Sequence, residues 1–194
     1  MVKYHSTRGH KDTLSFEDVI LSGVASDKGL YLPDSTTIEN LSNLTEENLS
    51  YEDFVKTIFI ALDNKAGKYV DDLSIYPGFS DSPEPVLKDL NKSTVVMELF
   101  HGPTKSFKDY ALQPLGAIAN RRLSELGERG LVIVATSGDT GSAAIQAVKN
   151  SENIDIVVLH PANKVSEYQR KQMTTVIQDN VLNIAVEGSY DDCQ

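Results

Sequence analysis

Leu131-Val132-Ile133-Val134-Ala135-Thr136-Ser137-Gly138-Asp139-Thr140-Gly141-Ser142 runs from an apolar strand, through glycines and hydroxyls, into a helix from about Thr140 to Lys149. An almost wholly apolar run without polar alternation is what a parallel strand buried on both faces requires. The same punctuation recurs on either side. Thr94-Val95-Val96-Met97-Glu98-Leu99 is a strand candidate, followed by a helix from about Ser106 to Leu126. Ile156-Val157-Val158-Leu159 is a second buried strand, a helix follows from about Val165 to Val176, and Val181 to Val186 forms a further strand. Strands spaced by helices of this length imply right-handed βαβ units. The expected fold is therefore α/β, an open parallel sheet. Ligands of such sheets bind outside the carboxyl ends of the strands, so the strand-to-helix turns are where chemistry is expected.

Two of those turns stand out. In Thr136 to Ser142, glycines let the backbone approach a ligand, and hydroxyls with free amides at a helix N-terminus bind carboxylate or phosphate. The turn is neither a Walker loop nor GxGxxG. Alone it reads as an anion site or as an ordinary capped turn. Asp139 is odd for an anion site and points to a further role, such as accepting a hydrogen bond from a ligand hydroxyl. The other turn lies in Glu98-Leu99-Phe100-His101-Gly102-Pro103-Thr104-Lys105-Ser106-Phe107-Lys108-Asp109. Lys108 falls in the first turn of its helix, at the positive end of the dipole, a poor place for a lysine kept for stability alone. The dipole favours the neutral, nucleophilic amine. Lys105, earlier in the turn, reads as a solvated charge. His101 and His160 read as structural hydrogen-bonders or as proton carriers. The two turns end strands on the same side of the expected sheet and would flank one crevice.

The chain has 194 residues, a formal charge of −10 and a single cysteine, Cys193. The negative field disfavours nucleic acid and anionic membranes as partners. One cysteine cannot form an internal disulfide, and no Cys/His cluster has zinc spacing. There is no secretory signal core, and no apolar run approaches the ~18 residues of a membrane span. A cytoplasmic protein is expected. Residues 1–90 read as a mainly helical N-terminal subdomain and 91–194 as the α/β domain. Within the first, Ser15-Phe16-Glu17-Asp18 and Ser50-Tyr51-Glu52-Asp53 look like capped helix starts. They lead the apolar stripes Phe16/Val19/Ile20/Val24 and Phe54/Val55/Ile58/Phe59/Leu62, which are expected to pack in a core. Tyr190 to Gln194 looks like the start of another helix, so the chain is expected to be part of a longer protein.

With these residues in view, the sequence resembles the threonine synthases. ELFHGPTKSFKDYALQ is similar to their cofactor-lysine segment, and ATSGDTGSAA to their substrate-binding loop. His160 to Ser166 and Gln172-Met173 resemble the next βα unit. Tyr4 to Gly9, Ser15-Phe16-Glu17 and Asp27 to Pro33 resemble the way these enzymes begin. At Lys105-Ser106 the chain departs from the family, which has an apolar or aromatic residue followed by Ala. The resemblance implies a fold-type II enzyme using pyridoxal 5′-phosphate, with Lys108 forming the Schiff base. It implies that Ser137, Gly138, Asp139 and Thr140 hold the substrate carboxylate or lie near the pyridine 3′-oxygen, and that His101 and Thr104 serve substrate binding. The implied reaction converts O-phospho-L-homoserine and water to L-threonine and phosphate. The family's phosphate cradle and pyridine-nitrogen partner lie later in the chain than Gln194, so the residues present are expected to show no turnover by themselves. A related phospholyase and a non-catalytic remnant or interaction domain are the competing readings.

Overall fold

The computed structural model describes residues 2–33 and 49–194. Two compact units divide between Ser74 and Ile75.

In the first unit, β1 (Tyr4–Ser6) lies between β2 (Thr13–Leu14) and β3 (Tyr31–Pro33), antiparallel to both. Helix α1 (Phe16–Ser22) starts where expected, but the Ser15 hydroxyl donates to the Asp18 carboxylate rather than capping the backbone. Ser50 does cap α2 (Tyr51–Leu62), accepting from the Asp53 N–H at 3.1 Å. A single 3-10 turn leads into α3 (Gly67–Val70). The core expected along the two stripes is corrected. Phe16 is buried, Val24 is exposed, and α2 has no fully buried residue. The aromatic centre is instead Tyr4, Phe16 and Tyr69, with the Phe16 ring 6.3 Å from Tyr4 and 6.0 Å from Tyr69.

The second unit begins with a hairpin, β4 (Val86–Asn91) against β5 (Thr94–Glu98). The strand expected from Thr94 is therefore present, but it is antiparallel to its neighbour and outside the parallel sheet. Helix α4 (Asp109–Leu126) leads to β6 (Gly130–Ala135), α5 (Asp139–Val148), β7 (Ile154–Pro161), α6 (Glu167–Thr174), β8 (Val181–Val186) and α7 (Tyr190–Cys193). Strands β6, β7 and β8 form a parallel sheet in that order, with Val132, Ile156 and Val181 in one row across it. The α/β expectation thus holds, with three parallel strands.

Ile145, Val148, Ile156, Val158 and Met173 build the core between the sheet and its helices. Only one face of the sheet is covered by the described residues. On the other, Ile133 is 64% and Leu182 54% exposed. This corrects the reading of β6 as buried on both faces. At the far end of the sheet, the Asn180 amide donates to the carbonyls of Val148 and Ile154 at 2.9 and 2.8 Å, tying α5 to β7.

Two details fix α4. Pro114 lies inside it and cannot donate the bond that the Tyr110 carbonyl would accept. The Tyr76 hydroxyl donates to that carbonyl instead, at 3.1 Å. At Gly116, a Cβ would come 2.8 Å from the Ala147 carbonyl oxygen, so the glycine lets α4 and α5 touch backbone to backbone.

Tyr76→Phe leaves the Tyr110 carbonyl without its donor and should cost about 1 kcal/mol in urea unfolding. With Pro114→Ala in place, the helix can supply its own donor. The same tyrosine change should then cost less, a coupling that a double-mutant cycle measures.

Candidate functional site

The turn from Phe100 to Lys108 is organised by one buried carboxylate. Asp109, the first residue of α4, is fully buried. Its two oxygens accept from the Thr104 N–H and the Thr104 hydroxyl, both at 2.9 Å. Burial pushes the Asp109 carboxyl above its ordinary pKa, and the two Thr104 bonds oppose that shift. Gly102 is required where the chain passes over this knot, since a Cβ there would stand 2.4 Å from Asp109 Oδ2. The Thr104 carbonyl accepts from Gln172 Nε2 at 2.8 Å, which fastens the turn to α6. Lys105 takes a left-handed backbone, φ 66°.

The second turn is shaped by Thr136. Its buried hydroxyl oxygen accepts from the N–H groups of Gly138 and Gly141, at 2.9 and 3.0 Å. Gly138, the N-cap of α5, has φ 150°, and a Cβ there would lie 2.4 Å from Gln169 Oε1. The backbone conformation requires glycine, and the absence of a Cβ lets the end of Gln169 come close.

The two turns meet. Lys108 is the N-cap of α4 rather than part of its first turn, and its Nζ lies 2.5 Å from Asp139 Oδ2. The Ser106 hydroxyl donates to the same oxygen at 3.3 Å. The side chains of Lys108 and Asp139 remain 29% and 39% exposed. The hydrogen bond from Lys108 holds the Asp139 carboxyl below the usual carboxylate range. Partial burial opposes this, while the lysine charge, the Ser106 hydroxyl and the Thr140 N–H add to it. Lys108 Nζ also sits 5.2 Å from the centre of the Phe107 ring. Beside the pair opens a cavity of about 490 Å³, lined by Thr104, Lys105, Ser106, Phe107 and Asp139, and by Ser166, Tyr168, Gln169 and Gln172 of the next βα unit.

The expected residues are placed as follows. Lys108, Gly138, Asp139 and Thr140 converge where the turns meet, and Ser137 is exposed beside them. Thr104 is buried, its polar atoms engaged by Asp109, Ser106 and Gln172. His101 faces Glu98, Nε2 to Oε2 3.0 Å, and stacks on Phe100. His160 is buried within β7, and its Nδ1 has no hydrogen-bond partner among the described residues. Ser106, Asp109, Thr136, Gln169 and Gln172 had been given no part in the site, although Ser106 stood out as a departure from the family and Asp109 and Gln172 lie in the FKD and Gln172-Met173 strings.

An α/β unit with a lysine-bearing turn facing a glycine-rich helix start is the structural class of this chain. Its particular relatives are consistent among themselves. Residues 3–64 match the family model described as threonine synthase N terminus. The threonine synthase of Pseudomonas aeruginosa is 44% identical over 205 residues, covering 100% of this chain and 42% of the relative. Mouse threonine synthase-like 2 is 38% identical over 200 residues, covering 97% and 40%. The crystal structure of PLP-bound threonine synthase from Brucella melitensis superposes with a TM-score of 0.87 at 37% identity, covering 100% of this chain and 43% of that one. Along its whole length the chain corresponds to the N-terminal portion of the threonine synthases, and it spans less than half the length of the curated relatives it matches.

Asp109→Ala should destabilise the second unit by about 2 kcal/mol, because two charge-assisted bonds are lost together. Asp139 gives a different signature. A carboxyl whose folded pKa is lowered stabilises above its unfolded value, and that contribution is lost as pH falls through the folded value. The stability difference between the wild type and Asp139→Asn should be flat above about pH 5 and shrink below about pH 4. Urea unfolding at a series of pH values tests both.

Proposed function

We propose that the chain supplies the lysine-bearing part of a pyridoxal 5′-phosphate-dependent threonine synthase, with Lys108 as the point of attachment. The observation that carries this reading is the meeting of Lys108 Nζ and Asp139 Oδ2, which joins two turns that the sequence had singled out separately. The residues present fit such a group. A partly exposed primary amine stands beside a carboxylate, next to an open cavity and a helix N-terminus shaped by glycine. An amine so placed can reach an aldehyde.

When bound, the cofactor supplies the electron sink for carbanionic chemistry at the substrate. The chain's own residues do the rest. The Ser137 and Thr140 hydroxyls, with the first N–H groups of α5, hold the carboxylate of O-phospho-L-homoserine. The Lys108 amine would take and return protons at Cα and Cβ of the substrate. Asp139 holds the Lys108 amine in position. Phosphate would leave from Cγ, Cγ would take up a proton to become the methyl group, and water would add at Cβ to give L-threonine. The match to relatives named threonine synthase supports this outcome. Other relatives are named threonine synthase-like 2, and the alternative outcome on the same lysine is elimination of phosphate without threonine.

Incubation with pyridoxal 5′-phosphate and borohydride should place a single label on Lys108, absent from Lys108→Ala. Scattered labelling over several lysines would count against the assignment. The 194-residue chain should form no detectable threonine by itself. In a protein of the relatives' length, phosphate release without threonine would mark the alternative outcome.

A further inference from the structure

Ser106 is the residue that connects the two halves of the lysine–carboxylate pair. Its Oγ accepts from the Lys108 backbone N–H at 3.3 Å and donates to Asp139 Oδ2, also at 3.3 Å. Its own N–H donates to Thr104 Oγ1 at 3.3 Å, so its backbone is set by the buried Thr104–Asp109 knot. The hydroxyl therefore stands on a fixed base and reaches the same oxygen that receives Lys108 Nζ. Two donors on one oxygen orient a carboxylate more narrowly than one flexible ammonium can. Neither Ser106 bond is needed to close the turn, which Asp109 and Gln172 already tie down.

We propose that Ser106 is a positioning residue that fixes the Asp139 carboxylate against Lys108 Nζ and, through it, sets how firmly the amine is held. The proposal deepens the reading of Lys108 as the attachment lysine and takes its functional meaning from that reading. Its consequence is a restraint on the amine before any aldehyde arrives. The other ionisable groups lining the cavity are Lys105, from the same turn, and Tyr168 of α6. Neither hydrogen-bonds to the pair among the described residues, so the Ser106 hydroxyl is the neutral side-chain group that acts on it directly, beside the Thr140 N–H.

The test is a carbon NMR titration of the aspartate side chains in the cofactor-free chain, comparing wild type, Ser106→Ala and Ser106→Thr. In Ser106→Ala the Asp139 midpoint should move up toward the ordinary aspartate range. In Ser106→Thr, which keeps the hydroxyl, it should stay at the wild-type value. Asp27, in the other unit, is also held low, first by the Ser6 hydroxyl, and serves as the internal control. An Asp139 curve in Ser106→Ala that overlays the wild type would overturn the proposal. So would a Ser106→Ala chain that unfolds or moves Asp27 equally, because the hydroxyl would then be holding the fold and not the pair. No cofactor enters the titration, so its result is independent of whether Lys108 takes the aldehyde.

Discussion

A carboxylate taken out of water must find donors close at hand, and Asp109 finds them on a single residue, Thr104. That requirement bends the chain between His101 and Lys108 into one shape. Gly102 has to be glycine because the chain crosses directly over the buried oxygens. Lys108 becomes the N-cap of α4 because Asp109 takes the first helical position. Lys108 is thereby presented at the helix end with its side chain free to reach across. The adverse dipole at that end is offset from outside the helix, by Asp139 on the neighbouring one.

The second turn solves a similar problem with a neutral group. Thr136 puts its oxygen under the start of α5 and satisfies two N–H groups there, those of Gly138 and Gly141. The carboxylate of Asp139 is then not required as a cap and can face the lysine. Gln169 and Gln172 of α6 close in on the same region from the side, one against Gly138 and the other on the Thr104 carbonyl. Two βα connections of the parallel sheet and the turn from the β4–β5 hairpin into α4 thus contribute to one place.

What could be read beforehand follows from which forces act locally. Lys108 and the Ser137–Thr140 turn were legible because residue type and position at a helix start carry electrostatic meaning on their own. Ser106, Thr136 and Asp109 were not, because their roles are bonds made after the chain has folded back. Val86 to Asn91 was missed as a strand because its lysine and aspartate interrupt any apolar pattern. Thr94 to Glu98 was placed in the wrong sheet because a short apolar run carries no information on the direction of its neighbour. The β6 run does have the composition of a doubly covered strand, yet Leu131 and Ile133 are exposed among the described residues. Composition states what a strand tolerates, while cover depends on what else is present.

The contact of α4 with α5 at Gly116 has a mechanical meaning. Lys108 heads one helix and Asp139 heads the other, so the paired amine and carboxylate sit at the tips of a pair of rods pinned where Gly116 meets Ala147. Helices are stiff along their axes and rise about 1.5 Å per residue. A wedge at the pin cannot be absorbed there and is passed up the rods to the tips. The gauge between amine and carboxylate is therefore set by a missing methyl group well away from either, and the glycine acts as the fulcrum.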